Sequence, residues 1–264
     1  MALPPRRWPL WLTGLALMAS LGGCGREQAR GDCAPVNAAH YDAFWLWAGV
    51  KPQPVLEQAK RLYILEAEVV GSPGRLASQR EAAPRLGSLP VFLVIRVETL
   101  DWAPEVEAQI LAAITTWERN GTHVAGLQID FDARTRQLDR YAVFLEKLRA
   151  RLPRRYQLSV TGLLDWSANS DSQTLNALGQ VVDEVVLQTY QGRATVEGYD
   201  QYLDRLERLR LPFRLGLVQG GQWCARPDLA DNPAFKGYVV FLLNPRGVTG
   251  QTGRVKIAQG QDRR

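Results

Sequence analysis

The chain alternates between two hydrophobic periods. Short segments with apolar residues at every second position, or at nearly every position, predict β-strands, and the segments between them carry apolar residues three and four apart, as helices do. The clearest alternating run is 126–133. One of its faces is apolar and the other carries an amide and two carboxylates: Leu127, Ile129 and Phe131 against Gln128, Asp130 and Asp132. This strand is therefore predicted to form the floor of a site.

These patterns predict eight strands, at residues 41–48, 62–69, 90–97, 126–133, 157–163, 183–189, 213–218 and 237–243. Helical or short connecting segments lie between them, at residues 52–61, 74–86, 103–119, 135–152, 172–182, 196–209 and 233–235. Eight repeats in 264 residues fit an α/β fold of the (β/α)8 TIM-barrel type. An open doubly wound sheet fits less well, because no glycine-rich phosphate loop follows the first strand. No helical pattern follows Asn244, so the last helix is expected to be missing.

The first residues are not expected to belong to the barrel. Arg6 and Arg7 precede an apolar run, 8–21, that is too short to span a bilayer and is typical of a secretory signal. The run leads to Cys24 through a segment that resembles the bacterial lipobox, which implies cleavage before Cys24 and lipidation of its sulfur. Acyl chains on that residue would anchor the protein to a membrane. The alternative is a soluble secreted protein that is cut elsewhere.

The sequence thus divides into four predicted parts: a lipoprotein signal peptide at 1–23, a lipidated tether at 24–36, a barrel domain at 37–246 and a disordered tail at 247–264. Gly25 stands where retained lipoproteins have aspartate, and by the same resemblance this implies the outer membrane of a bacterial cell envelope, facing the periplasm. In that oxidising compartment Cys33 and Cys224 either pair or stay free, and the sequence leaves the choice open.

Composition excludes several classes of partner. The formal charge of +5 is scattered along the chain rather than gathered in a basic block, so we predict no nucleic-acid partner. The two histidines, His40 and His123, are far apart, and no spacing typical of metal ligands occurs. We therefore expect neither a metal nor a cofactor.

Candidate site residues follow from the predicted barrel, whose active site would lie at the carboxyl ends of the strands. Alternation along each strand selects side chains that are predicted to face this site: Trp45, Trp47, Glu66, Glu68, Arg96, Glu98, Gln128, Asp130, Asp132, Ser159, Thr161, Asp165, Gln188, Tyr190, Gln219, Gln222 and Asn244, with Trp166 and Trp223 in the loops after the fifth and seventh strands. Carboxylates, amides and indoles together are typical of a carbohydrate site, because sugar hydroxyls need planar polar partners and pyranose faces pack on aromatic rings. Crowded carboxylates also raise one another's pKa, so that one can act as an acid while another stays ionised.

Two of these segments resemble motifs of the chitinase-like family-18 glycoside hydrolases. Residues 126–132 are similar to the fourth-strand motif of that family, and residues 188–191 to its sixth-strand motif. The resemblance implies that Asp132 is the catalytic acid, that Asp130 orients the N-acetyl group of the substrate, and that Tyr190 donates a hydrogen bond to it. The remaining candidates would then bind substrate.

The chain departs from that family at several positions. Asp132 replaces a glutamate, and Gln128, Ala125 and Gln191 replace aspartates. From residue 41 onward the chain more closely resembles a family of proteobacterial envelope proteins that carry domain of unknown function 3142, and this likeness implies no activity.

Three hypotheses follow. The first is a glycoside hydrolase that acts on a polysaccharide, N-acetylated or not, with Asp132 as the acid; without an N-acetyl group, Glu66, Glu98 or Asp165 would serve as base or nucleophile. The second is a glycan-binding lipoprotein on an inactivated barrel. The third is a structural envelope scaffold, in which the tryptophans pack the barrel, and Glu66, Glu98 and Arg96 form an ion-pair layer.

Overall fold

Eight parallel strands close into a barrel. The computed structural model describes residues 32–133, 137–164, 166 and 177–245. The barrel strands are β1 Ala43–Leu46, β2 Arg61–Val70, β3 Gly87–Val97, β4 Thr122–Asp130, β5 Gln157–Leu163, β6 Glu184–Gln188, β7 Phe213–Val218 and β8 Phe235–Phe241. Each strand pairs with the next along the chain, and β8 pairs with β1. The predicted TIM-type barrel is confirmed.

Two long helices cover one side of the barrel. Helix α1, Val106–Arg119, and helix α2, Leu138–Arg151, follow β3 and β4. Each buries one stripe at helical spacing: Val106, Ile110, Ile114 and Trp117 on α1, and Leu138, Tyr141, Leu145 and Leu148 on α2. The helices predicted at 103–119 and 135–152 are therefore confirmed with shorter ends. Among the described residues, no helix is both long and apolar enough to cross a membrane.

The other connections are short. Single-turn 3-10 helices occur at Pro54–Gln58, Asp204–Arg208 and Pro227–Asp231, and helix α3 spans only Asp200–Leu203. The helix predicted at 74–86 is wrong, because Arg75–Ser78 forms a strand that runs antiparallel to the upper part of β2. Of the segment 172–182, predicted to be helical, residues 172–176 lie outside the described residues.

The start of the described chain covers the outer face of β7 and β8. Cys33–Pro35 pairs antiparallel with Gln222–Cys224, and a disulfide joins Cys33 to Cys224. Trp223, in this second strand, packs between Tyr199 and Tyr238. The short ribbon thus occupies a place where a regular (β/α)8 barrel would have a helix.

The core has two layers. Most buried apolar side chains lie between the barrel and its outer elements. A smaller set fills the barrel interior: Ala43, Trp45, Tyr63, Phe92, Val94, Val186 and Val239. Because these side chains fill the interior, a ligand that enters the barrel along its axis would stop at the mouth, at the carboxyl ends of the strands.

Candidate active site

A row of three charged side chains, on neighbouring strands, lies along one side of the barrel mouth. Strand pairing aligns Glu68 of β2 with Arg96 of β3, and Arg96 with Asp130 of β4, so the three point into the barrel at one height. Arg96 Nη1 lies 3.8 Å from Asp130 Oδ2. On the other side, the Thr161 hydroxyl donates a 2.8 Å hydrogen bond to Asp130 Oδ1. Asp130 is therefore held between β3 and β5.

Asp130 is the buried member of this row. It is 5% exposed, and this burial raises the pKa of its carboxyl from 3.8 to about 6. The Arg96 guanidinium lowers that pKa, whereas the charges of Asp132 and Glu68 raise it. A carboxyl with such a pKa exchanges its proton close to neutral pH, which is the property that general acid–base chemistry requires.

A second level of carboxylates lies above the row. Glu98 and Asp132 each stand two residues beyond the row member of their own strand, and both are exposed. The charge of Asp132 acts on Asp130 and on Tyr190, so Asp132 lies close to both. Of the two aspartates, Asp132 is the more exposed to a ligand.

Three aromatic residues, Trp47, Tyr190 and Phe241, form what we call the aromatic wall. Tyr190 stacks on Phe241 with 5.6 Å between ring centroids, and Phe241 meets Trp47 edge to face at 5.2 Å. Phe241 ends β8, which lies across the barrel from β4. Burial raises the pKa of Tyr190 well above its usual value, and the charges of Asp130 and Asp132 raise it further. The Tyr190 phenol therefore stays protonated and can donate a hydrogen bond to a ligand.

A column of hydrogen bonds runs through the barrel beneath the mouth. The Trp45 indole Nε1 donates to Gln128 Oε1 at 2.6 Å, and Gln128 Nε2 donates to Ser159 Oγ at 2.9 Å. Ser159 in turn donates to Glu184 Oε1 at 3.2 Å. Both ends of the Gln128 amide are used inside the protein, and Trp45 is only 1% exposed. The two residues thus support the floor of the mouth and offer a ligand little surface.

Glu184 closes the column at the amino end of the barrel. It accepts hydrogen bonds from Tyr63 Oη at 2.6 Å, Arg214 Nε at 2.7 Å and Arg61 Nη1 at 3.2 Å. The third hypothesis predicts an ion-pair layer of Glu66, Arg96 and Glu98, but the ion pairs inside the barrel join Glu184 to Arg61 and Arg214. Residues at the carboxyl ends of the strands could not predict these pairs, because they lie at the amino ends. The available signal was a charged residue near the start of β2, β6 and β7, each otherwise largely apolar.

Glu66 does not face the mouth, and its predicted orientation is wrong. The pairing of β2 with β3 shifts register between Leu65 and Ala67, so a β-bulge there reverses the alternation. Glu66 instead accepts a 2.9 Å hydrogen bond from Trp117 Nε1 of helix α1. The bulge also explains why Glu68 points inward.

Three further candidates are not brought to the mouth. Trp166 is 1% exposed and donates from Nε1 to the Ala133 carbonyl at 2.7 Å, so it belongs to the core between barrel and helices. Trp223 is buried beside Tyr199 on the outer face of the barrel. Gln222 is exposed in the same outer strand. Strand parity does not predict that Trp166 and Trp223, which follow β5 and β7 in the sequence, pack outside the barrel.

Two other candidates lie at the rim. Gln188 ends β6 with the same parity as the interior residue Val186, and it is half-buried. Asn244 follows β8, and its amide both accepts from the Lys51 backbone N–H and donates to the Gly49 carbonyl, each at 2.8 Å. Asn244 therefore fastens the loop after β1 to the rim.

Asp165 and Cys24 lie outside the described residues, as do the predicted signal peptide, most of the predicted tether and the predicted tail. Within the described ranges, no group of three or more histidine, cysteine or acidic side chains is arranged to hold a metal ion. Among the described residues, the mouth offers a ligand carboxylates, a phenol and a guanidinium group.

Comparison with known proteins agrees with one predicted resemblance. Residues 87–210, from β3 to the region after helix α3, match the family described as Domain of unknown function (DUF3142). None of the curated proteins matches the chain.

Several solved structures are similar to the chain at low identity. The spore cortex-lytic enzyme SleL of Bacillus cereus is 19% identical, with a TM-score of 0.44 over 72% of this chain and 56% of SleL. The chitinase domain of the spore coat protein CotE from Clostridium difficile is 15% identical, with a TM-score of 0.45 over 68% of this chain and 66% of that domain. The xylanase and alpha-amylase inhibitor protein XAIP-II from Scadoxus multiflorus is 11% identical, with a TM-score of 0.47 over 76% and 92%. The chain therefore spans little more than half the length of SleL.

Proposed function

We propose that this protein is a glycoside hydrolase that acts on a polysaccharide at the barrel mouth. The observation that carries the proposal is the carboxyl pair on β4: Asp130 is buried with a pKa of about 6, and Asp132 is exposed beside it. Two neighbouring carboxyls in such different surroundings can divide the tasks of acid and base. The aromatic wall opposite gives a pyranose ring an apolar surface to pack against.

In this proposal Asp132 delivers the proton. Asp132 protonates the glycosidic oxygen, the bond from that oxygen to the anomeric carbon breaks, and the leaving sugar departs as an alcohol. On an N-acetylated substrate, the substrate's own carbonyl oxygen attacks the anomeric carbon, and water then opens the intermediate. Asp130 and Tyr190 hold that acetamide group in line. Arg96 and Thr161 fix Asp130 in position for this task.

We further propose that the protein works in the bacterial cell envelope, anchored by a lipidated Cys24 to the outer membrane. Arg6, Arg7 and the apolar run before Cys24 support this placement. The Cys33–Cys224 disulfide agrees with an oxidising compartment such as the periplasm.

The exposure of Asp132 favours a second candidate function, a glycan-binding lipoprotein without catalysis. An acid that faces solvent, on a side chain one methylene shorter than glutamate, loses rate steeply when it sits about 1 Å from the ideal place. The same aromatic wall and carboxylates would then serve recognition only.

One experiment distinguishes the hydrolase from the glycan-binding protein. A panel of glycans is incubated with the full chain, purified in detergent, and the products are analysed by mass spectrometry. Matched variants are Asp132→Asn, Asp130→Asn and, as a control on the exposed face of helix α2, Glu146→Gln. Hydrolysis predicts product from the parent and from Glu146→Gln but not from Asp132→Asn. Tryptophan quenching without product supports the binding protein, and neither product nor quenching with any glycan refutes both functions.

A further inference from the structure

We infer that three amide side chains at the rim, Gln53, Gln219 and Asn244, are positioning residues that fix the aromatic wall in place before a glycan binds. We call these three residues the amide clasp. The inference rests on the proposed carbohydrate site, and it adds residues that act on the ligand through Trp47 and Phe241. It follows from the hydrogen bonds that join the ends of β7 and β8 to the loop after β1.

Trp47 lies in a loop that its own backbone does not hold in place. It follows β1 directly, is half-buried, and begins the segment 47–53, which is neither helix nor strand. The Val50 backbone N–H donates to the Trp47 carbonyl at 3.2 Å and closes a turn, in which Gly49 has a φ of +80°. Such a turn fixes its own shape but not its position relative to β8. The position of Trp47 therefore depends on contacts with the neighbouring strand ends.

Asn244 holds this turn at two points. It follows β8, and its Oδ1 accepts from the Lys51 backbone N–H while its Nδ2 donates to the Gly49 carbonyl, each at 2.8 Å. The two hydrogen bonds lie on the far side of the turn from Trp47. The turn cannot move away from the end of β8 without losing both.

Gln53 and Gln219 form the other part of the clasp. Gln219 Nε2 donates to Gln53 Oε1 at 2.9 Å, and Gln53 Nε2 donates to Gln219 Oε1 at 3.3 Å. Both amides also bond to Leu243: Gln53 Nε2 donates to its carbonyl at 3.0 Å, and Gln219 Oε1 accepts from its N–H at 2.9 Å. Because both ends of the Gln219 amide are used inside the protein, this candidate residue supports the rim rather than binding a ligand itself.

The clasp surrounds the contact on which the aromatic wall depends. Trp47 meets Phe241 edge to face at 5.2 Å, and the Gln219 backbone N–H donates to the Phe241 carbonyl at 3.1 Å. A side chain that must be ordered when a ligand binds reduces the affinity, whereas one that is already fixed does not. The clasp should therefore strengthen glycan binding without touching the glycan.

The first test measures the mobility of the Trp47 indole in the full chain, in detergent and without sugar. The protein is labelled with ¹⁵N-tryptophan, and the ¹⁵N–¹H nuclear Overhauser effect of each indole is recorded. Asn244→Ala and Gln219→Leu should lower the value for Trp47. The value for Trp117, whose Nε1 donates to Glu66 on the outer side of the barrel, should not change, which shows that the fold is intact.

Two matched variants separate the clasp from a general effect of mutation. Gln219→Glu keeps both hydrogen bonds that Gln219 Oε1 accepts, so the value for Trp47 should stay near that of the parent. Asn120→Ala removes the bond from Asn120 Nδ2 to the Ala83 carbonyl at the amino end of the barrel, and it should leave Trp47 unchanged.

The second test measures the affinity for N-acetylglucosamine hexasaccharide by calorimetry; if the parent does not bind it, the glycan of the panel that binds most tightly takes its place. Asn244→Ala and Gln219→Leu should weaken binding at least about fivefold, whereas Gln219→Glu and Asn120→Ala should stay within about twofold of the parent.

An unchanged Trp47 indole in both clasp variants would overturn the inference and leave the proposed function standing. A more mobile indole with unchanged affinity would do the same. If the parent binds no glycan of the panel, the proposed function fails and the inference fails with it, whatever the mobility of the indole.

Discussion

Replacing Asp130 by asparagine should stabilise the protein at neutral pH. The carboxyl of Asp130 is 5% exposed, and burial raises its pKa from 3.8 to about 6. Asparagine has the same shape and keeps an oxygen that can accept the Thr161 hydrogen bond. The substitution therefore removes a buried charge and leaves the packing in place.

The magnitude follows from the two pKa values. A folded-state pKa above the unfolded value means that the native protein binds the proton more tightly, so ionised Asp130 destabilises the fold. This cost is absent below about pH 3.8 and fully present above about pH 6. The difference of about two pKa units, at about 1.4 kcal/mol each, amounts to about 3 kcal/mol. Asp130→Asn should thus raise the free energy of unfolding by about this amount at pH 7.5, and by under about 1 kcal/mol at pH 4.

Urea unfolding of the parent and the variant at both pH values measures this difference, provided that the slopes of the transitions agree. Asp132→Asn is the matched control, because the same change is made at an exposed position two residues away. A gain of stability that does not depend on pH, or a loss at pH 7.5, would show that the ionised carboxyl of Asp130 does not destabilise the folded protein.

Three further predictions concern the frame that supports the mouth. Glu184→Gln should lower the free energy of unfolding by about 3 kcal/mol in urea titrations, because it leaves the two half-buried guanidinium groups of Arg61 and Arg214 without their counter-charge; an effect under about 1 kcal/mol would show that the column of hydrogen bonds does not stabilise the barrel. Gly216→Ala should cost about 1–3 kcal/mol in the same titration, because a Cβ there lies 2.5 Å from Trp45 Cζ3; an unchanged midpoint would mean that Trp45 can move aside. Serine at both Cys33 and Cys224 should cost about 3–5 kcal/mol, since the disulfide closes a loop of sequence separation 191; a reducing agent should destabilise the parent equally and leave the variant unchanged.

The order of strands was predictable because each carries its own hydrophobic signal. The limits of β5, 157–163, and β7, 213–218, match the prediction: Pro153 and Pro212 lie before the two apolar runs, and Gly220 and Gly221 follow the second. The prediction of a helix at 74–86 was wrong because this segment has no strong hydrophobic pattern of its own. Its weak periodicity was overridden by pairing with β2, and such contacts between distant residues leave no local pattern.

The site was predictable in part. Alternation correctly placed Asp130 and Arg96 in one inward-facing row, because β3 and β4 pair without a shift near their ends. It failed at Glu66, where a single extra residue reverses the alternation. No sequence pattern marks such a bulge.

The tryptophans show a second limit of sequence reasoning. Trp166 and Trp223 follow strand ends as closely as ligand-binding residues would, yet both are buried in packing outside the barrel. The direction of a loop after its strand depends on contacts with residues far along the chain, and these become visible only in three dimensions. Glu184 was missed likewise, because its partners Arg61 and Arg214 are brought to it by the closure of the barrel.

The most direct test of a glycan site at this mouth is a titration followed by NMR of the tryptophan indole N–H groups. The oligosaccharides of the glycan panel would be added one at a time to the full chain labelled with ¹⁵N-tryptophan. We predict that at least one of them causes a saturable shift of the Trp47 resonance, in the aromatic wall, and none at Trp117, Trp166 or Trp223, which are buried elsewhere. Shifts confined to Trp223, or no shift at any indole with any panel glycan, would contradict a glycan site at the barrel mouth.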